Sequence, residues 1–331
     1  MTRLLRPILP LLVLLGLTVP QTLRAQLVPL LGGQRAGISS LQFLKIGGAS
    51  RAAAMAESFI AVADDASALQ YNPAGMVQFD GHEAIFTHTG WLVDLQHEFV
   101  GAVYRIDEDD AVGVSFTSLH TDDMEIRTET QPFGTGRYFS YGDIAVGLSF
   151  ARRLTSQFSF GATVRYVEET IDVLKTRALM VDLGTYYWTG LGTTRFSVAV
   201  SNFGNNVSPE GTLDLPRGEA RNTFQEFSPP TTFRIGFAFE PIEDETNRLT
   251  TSIQLNHPND NSENVAVGVE YAWNSLFFVR AGYKLNVDEE GLTAGAGINA
   301  PLSVARLGVD YAFADFDRLG AVHRITVRLG L

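Results

Sequence analysis

From about residue 83 to the end, apolar residues alternate with small or polar ones in a long series of short stretches. Ile144, Val146, Leu148 and Phe150 alternate with Ala145, Gly147 and Ser149, and Phe158, Phe160, Ala162, Val164 and Tyr166 with Ser159, Gly161, Thr163 and Arg165. Strand side chains point to opposite faces in turn, so each stretch has one greasy face and one face of another character. Late in the chain Val265, Val267, Val269, Tyr271 and Trp273 oppose Ala266, Gly268, Glu270 and Ala272, and Phe277, Val279, Ala281, Tyr283 and Leu285 oppose Phe278, Arg280, Gly282 and Lys284. A soluble sandwich also alternates, but it does not so often set arginine, lysine and glutamate mid-strand opposite an apolar, aromatic face. The combination predicts a closed barrel with lipid outside and a polar lumen inside.

About fourteen strands are predicted, an even number, near residues 83–89, 97–106, 111–119, 140–151, 156–168, 177–188, 194–203, 231–240, 247–257, 263–273, 276–286, 291–300, 302–313 and 321–331. If the first strand runs outward, the inner connections are short: Asp107–Asp110, Arg152–Thr155, Gly190–Thr193, Trp273–Ser275 and Ala300–Pro301, with Pro241–Thr246 longer and acidic. The two longest connections, His120–Phe139 and Gly204–Pro230, then fall outside. Short inner turns with longer surface loops are the asymmetry of outer-membrane barrels.

The N-terminus fits export. Arg3 and Arg6 precede an apolar run from Ile8 to Val19, and Leu23-Arg24-Ala25 offers a cleavage site before Gln26. Residues 1–25 are read as a signal peptide, too short for a membrane span, and no later segment reaches the ~18–20 apolar residues of a spanning helix. With no cysteine, the exported chain holds its fold without disulfides. Losing Arg3, Arg6 and Arg24 leaves 22 basic against 37 acidic residues. That balance argues against nucleic acid and against polybasic docking on anionic lipid.

Residues 26–80 differ in character. The small residues Gly47 to Ala56 lead through Phe59-Ile60-Ala61-Val62-Ala63 to Asp64-Asp65 and a short helical stretch, Ala66–Tyr71. Asp65 suits an N-cap, and Asn72-Pro73 stops the helix because the residue before proline is pushed out of the helical region. A segment this small and apolar is expected to fold inside the barrel as a plug, leaving residues 81–331 as the wall.

These residues also resemble a known family. Arg51-Ala52-Ala53, Ala61-Val62-Ala63-Asp64-Asp65-Ala66-Ser67-Ala68-Leu69 and Tyr71-Asn72-Pro73-Ala74-Gly75 are similar to the N-terminal signature of the PorV/PorQ family of FadL-like outer-membrane barrels. Asn202-Phe203-Gly204, Asp310-Tyr311-Ala312-Phe313, Asp315-Phe316, Leu319-Gly320 and His323-Arg324 extend the resemblance over the mature chain. Two departures stand out: Ala56-Glu57 replace a common glycine pair, and the chain ends in Leu331 rather than an aromatic. The resemblance implies a fourteen-stranded transmembrane barrel in the bacterial outer membrane with an N-terminal hatch, and two jobs. One is type IX secretion, in which extracellular loops bind the C-terminal signal domains of exported cargo and hand it to secretion-machine subunits. The other is a FadL-like channel for hydrophobic small molecules, with Asn72, Pro73 and Ala74 beside a gate. The short hatch and modest loops favour the first.

Candidate chemistry is sparse. Asp64 and Asp65 read as a cap and a hatch-to-wall ion pair, and Asn72-Pro73-Ala74 as a turn or a gate. The lumen-facing Arg165, Arg234, Arg280, Lys284, Arg324 and Arg328 offer either a basic ladder for an anionic solute or partners for Asp182, Glu240, Glu270 and Asp310, and pairing is the favoured expectation because buried charges are usually paired. Phe133, Tyr138, Phe139 and Tyr141 in or just after one outer loop, with Phe224 and Phe227 in another, are candidate cargo contacts, or they pack on one another as an ordered loop or belong to an aromatic girdle. The six histidines sit near no nucleophile motif, and no metal-ligand spacing is present, so neither an enzyme nor a cofactor is expected.

Overall fold

The alternation closes a sheet. A computed structural model describes residues 37–214 and 220–331; residues 1–25, read as a signal peptide, and the start of the 26–80 segment lie outside the described residues. Fourteen antiparallel strands form one closed barrel, each paired with its neighbours in sequence and the first with the last. They are β1 (Glu83–Gly90), β2 (Gln96–Arg105), β3 (Asp110–His120), β4 (Tyr141–Arg153), β5 (Phe158–Ile171), β6 (Leu174–Trp188), β7 (Arg195–Gly204), β8 (Thr232–Glu243), β9 (Asn247–Pro258), β10 (Asn264–Trp273), β11 (Phe277–Leu285), β12 (Leu292–Pro301), β13 (Arg306–Asp315) and β14 (Ala321–Gly330). Closure satisfies every edge, as a bilayer requires.

The two faces separate as the alternation predicts. Phe86, Val114, Leu148, Val164, Val279 and Ile325 are exposed on the outside, while Thr87, Ser115, Thr163, Glu270, Arg280 and Arg324 are buried within. One turn and one bulge depart from the expected pattern. Pro301 ends β12, and the turn that follows is Leu302–Ala305, with the Leu302 amide donating to the Ala305 carbonyl at 2.8 Å, so β13 starts at Arg306. A β-bulge between β6 and β7 sets Asn202 at φ 58°. The Asp182 carboxylate accepts from the Asn202 amide at 2.6 Å, replacing the lost ladder bond.

One rim carries the tight turns and the other the long loops. On the loop rim, β3 and β4 are joined through a two-strand ribbon, Met124–Glu125 with Tyr138–Phe139, and β7 to β8 through a connection containing a second, Leu213–Asp214 with Ala220–Arg221. The chain enters from this rim. Ser39 forms a parallel bridge with Ser228, and the Lys45 ammonium meets the Asp260 carboxylate at 2.6 Å, both partners lying in loop-rim connections.

From Leu41 to Val77 the chain is packed against the barrel's inner face as helices α1 (Ser50–Ala54) and α2 (Ala68–Tyr71) and the 3-10 turns Gln42–Lys45 and Pro73–Val77. Ala52, Met55, Phe59, Val62, Ala66, Leu69 and Met76 form its core with Ile85, Phe99 and Val103 of the wall. Inward-facing glycines allow this closeness. A Cβ at Gly282 would lie 2.4 Å from the Ala56 nitrogen, and one at Gly161 2.4 Å from the Ala74 nitrogen. Ala56 and Glu57 take left-handed φ values of 53° and 63°. These are conformations in which glycine is unstrained and L side chains are not.

Candidate functional site

Burying the inner segment brings its few charges against the charged positions of the wall. Arg51, the only cation in α1, donates from Nε and Nη2 to the two Glu270 oxygens at 2.8 and 2.9 Å, and from Nη1 to Asp65 at 2.9 Å; Asp64 also accepts from Nη1. Glu270 accepts from Arg280 at 2.6 Å, Arg280 donates to Asp310 at 2.6 Å, and Arg328 joins Asp310 at 2.9 Å to Asp65 at 3.4 Å. Arg51, Glu270, Arg280, Asp310, Arg328 and Asp65 therefore form a closed ring of alternating charge in which each buried charge faces two opposite ones. Burial alone would raise the Asp65 carboxyl, but Arg328 and Arg51 outweigh it and hold the group down to about 2. Asp65 also accepts from the Ser67 amide at 2.9 Å, a local turn ahead of α2; the helix starts at Ala68 with Ser67 as its N-cap, so Asp65 is not the N-cap expected and the helix is shorter than 66–71.

Asn72 is fully buried. Its side-chain amide donates to the Ile60 carbonyl at 2.8 Å and the Thr185 carbonyl at 3.0 Å, and its oxygen accepts from the Ala74 amide at 3.1 Å. Pro73 and Ala74 press on Gly161 of β5 while Asn72 presses on Gly184 of β6. The tripeptide is a turn pinned to the wall on one side and to its own segment on the other.

The remaining lumen charges divide. Arg165 pairs with Asp182 at 2.7 Å, Lys284 with Glu290 at 2.5 Å, and Arg195 with Glu240 at 2.7 Å. Arg234 meets no carboxylate among the described residues and donates only to the Ser201 hydroxyl at 3.3 Å. Sequence reasoning named no role for Arg51 or Arg195. The available signal was a lone charge in a run of small residues, which burial would force to find partners.

The aromatics of the loop rim separate as well. Phe133 is 94% exposed and Tyr138 61%. Phe139, Phe224 and Phe227 are half-buried, and Phe227 is bridged by backbone bonds to Val207. Tyr141 is not a loop residue: it opens β4, donates to Asp143 at 2.6 Å and packs at the barrel mouth with Phe43, Leu44, Ile46 and Leu119. Among the described residues, no group of three or more His, Cys, Asp or Glu side chains is placed to hold a metal ion.

The family model described as "Type IX secretion system protein PorV" matches residues 32–259. No curated protein matches the chain by sequence. Among solved structures, the chain is similar to the Ralstonia pickettii toluene transporter TbuX, with TM-score 0.59 and 14% identity over 86% of this chain and 98% of that one. It is also similar to the CymD monoaromatic hydrocarbon channel, with TM-score 0.55 and 12% identity over 86% and 96%. The P. putida toluene transporter TodX aligns with TM-score 0.53 and 11% identity over 86% and 97%. At these identities the likeness is one of fold.

Proposed function

The chain belongs to the PorV family of type IX secretion system proteins, an outer-membrane β-barrel of that system, and from this premise we propose that its loop rim holds exported cargo at the cell surface. The observation that carries the reading is Phe133. It stands almost fully exposed on an ordered ribbon, where the Ile126 amide donates to the Arg137 carbonyl at 2.8 Å and the Thr135 amide to the Ile126 carbonyl at 2.9 Å. A large apolar side chain held out on a fixed scaffold, with Tyr138 beside it in the same ribbon, has the character of a protein-contact anchor. In this reading residues 26–80 act as a hatch that closes the lumen, and Asn72, Pro73 and Ala74 are its fixed turn. Cargo recognised by its C-terminal signal domain then passes to other secretion subunits.

The test is capture of exported proteins from detergent-solubilised membranes. Replacing Phe133 and Tyr138 together with serine is expected to cut cargo recovery several-fold while the barrel still folds. Unchanged recovery defeats the assignment of these residues.

A second reading, passage of hydrophobic small molecules, is favoured by a cavity of about 430 Å³ at the loop rim walled by Trp91, Leu95, Leu119, Tyr141 and Phe316. It requires the inner segment to move, because Ala52 to Ala54 and Phe59 to Ala63 are buried against the wall below that cavity.

A further inference from the structure

Where the entering chain meets the wall, two acids stand face to face without a cation. Asp143 of β4 and Glu169 of β5 are directly opposed cross-strand partners on the inner face. Opposed residues on neighbouring strands hold their Cβ atoms about 4.5–5.5 Å apart, where like charges repel. β5 and β6 have 14 and 15 residues, more than the ~9–11 that cross a bilayer, so the loop-rim ends that carry the pair stand clear of the hydrocarbon.

Asp143 is 1% exposed; its Oδ2 accepts from the Tyr141 hydroxyl at 2.6 Å, and its Oδ1 has no partner. Glu169 is half-buried and faces the Leu41 amide. Leu119 of β3 and Thr176 of β6 flank the two acids. One step further in, Ala145 and Val167 join the apolar cluster of Leu41, Phe43, Leu44 and Ile46. Lys45, the cation of the entering chain, is met by Asp260 at 2.6 Å. Tyr141 and the two acids are the titratable groups that face one another, and no lysine or arginine among the described residues reaches either carboxylate. Enclosed in this way, the two cannot both stay ionised at low cost. Burial pushes the Asp143 carboxyl up to about 7, with the Tyr141 bond opposing the rise and Glu169 adding to it; burial raises Glu169 as well.

We propose that Asp143 and Glu169 share one proton, and that this proton latches the entering chain to the barrel mouth. With the proton in place one acid donates to the other and the pair carries a single charge. Without it, two opposed carboxylates in apolar surroundings favour an opened mouth in which water reaches both. The closed mouth holds the proton more tightly than the open one. The latch therefore weakens as pH rises above about 4, the ordinary carboxylate range, and is lost by about 7. It does not depend on cargo binding, and either can fail alone.

The test is hydrogen exchange in the full mature protein in detergent, read at the Leu44 and Ile46 amides, which bond within the entering turn at 3.2 and 3.0 Å. Protection, corrected for the intrinsic rate at each pH, is expected to fall roughly tenfold per pH unit from about pH 5 to about pH 7 and to level off above. The Asn72 amide, bonded to Ala68 at 3.0 Å in the packed segment below, should keep its protection over the same range. Asp143→Asn should flatten the dependence at Leu44 and Ile46, and Glu169→Gln should move its end to lower pH.

A parent protein whose Leu44 and Ile46 protection ignores pH overturns the latch, as does an Asp143→Asn protein that follows the parent. An unchanged profile in Glu169→Gln overturns the sharing of the proton. Parallel loss at Asn72 overturns the placing of the effect at the mouth. If Asp143→Asn fails to fold, the parent and Glu169→Gln profiles decide.

Discussion

The lumen beneath the mouth and the mouth itself are built from the same strands, yet they treat charge in opposite ways. Below, Arg51, Arg280 and Arg328 interleave with Asp65, Glu270 and Asp310 in a closed ring. Above, Arg234 faces open space with one weak hydroxyl contact. The lower region is filled and internally satisfied, the condition under which a buried polar network makes one arrangement specific. The upper region is hollow and keeps a donor in reserve. Structure-keeping chemistry therefore belongs to the ring, and recognition, in the function proposed here, to the mouth.

The sharpest way to break that comparison is to replace one arginine in each region by methionine. Arg51→Met leaves Glu270 and Asp65 buried with fewer partners and is expected to destabilise the barrel by about 3–5 kcal/mol, the usual cost of breaking a buried ion pair from one side. Arg234→Met removes an unpaired charge and is expected to change stability by less than about 1 kcal/mol. Denaturant titration of the folded barrel in detergent reads both. Comparable losses would mean that Arg234 is held by groups other than those described.

A second, smaller effect separates the regions by pH. With the Asp65 carboxyl held near 2 against about 3.9 in an unfolded chain, the ring contributes stability that is complete above about pH 5. That stability is lost as pH falls through 2, and amounts to about 2 kcal/mol from this group. Asp65→Asn lacks it. The stability difference between the parent and Asp65→Asn should narrow steadily from about pH 5 toward pH 2. A difference that widens on acidification would reverse the assigned sign.

Much of this was legible in the sequence because the barrel repeats one rule. Strand number and face follow from period-two alternation, so Val279 outside and Arg280 inside could be read directly. What alternation cannot carry is register across distant strands. Arg51 and Glu270 are 219 residues apart, and no local pattern joins them to Asp310 and Arg328. The inward glycines were visible only as tolerance for small residues. Their use, admitting Ala56 and Ala74 to within van der Waals contact of the wall, depends on where the inner segment runs. Tyr141 was grouped with the loop aromatics Tyr138 and Phe139, although the strand predicted over 140–151 already contains it; β4 opens at Tyr141. The Asn202 bulge gave no periodic signal, although an asparagine tolerates φ > 0 better than other residues do.

The smallest expected effect lies where the two regions meet. Lys45 and Gln42 both reach Asp260, at 2.6 and 2.8 Å, and fasten the entering chain to the connection between β9 and β10. Burial would raise the Asp260 carboxyl, but the bonds from Lys45 and Gln42 hold it below its ordinary value. Asp260→Asn keeps the shape and one hydrogen-bond acceptor and removes the charge, so it should cost roughly 1 kcal/mol or less globally. Its effect should be local. Hydrogen exchange is expected to quicken at the Leu44 and Ile46 amides, whose only described backbone partners lie within the Gln42–Lys45 turn and its flanks. Protection of the Ala53, Met55 and Asn72 amides should be unchanged, because they are held by the packed segment below. Faster exchange at both sets would mean that the mouth and the ring open as one unit, and the division between them would then be one of composition and not of stability.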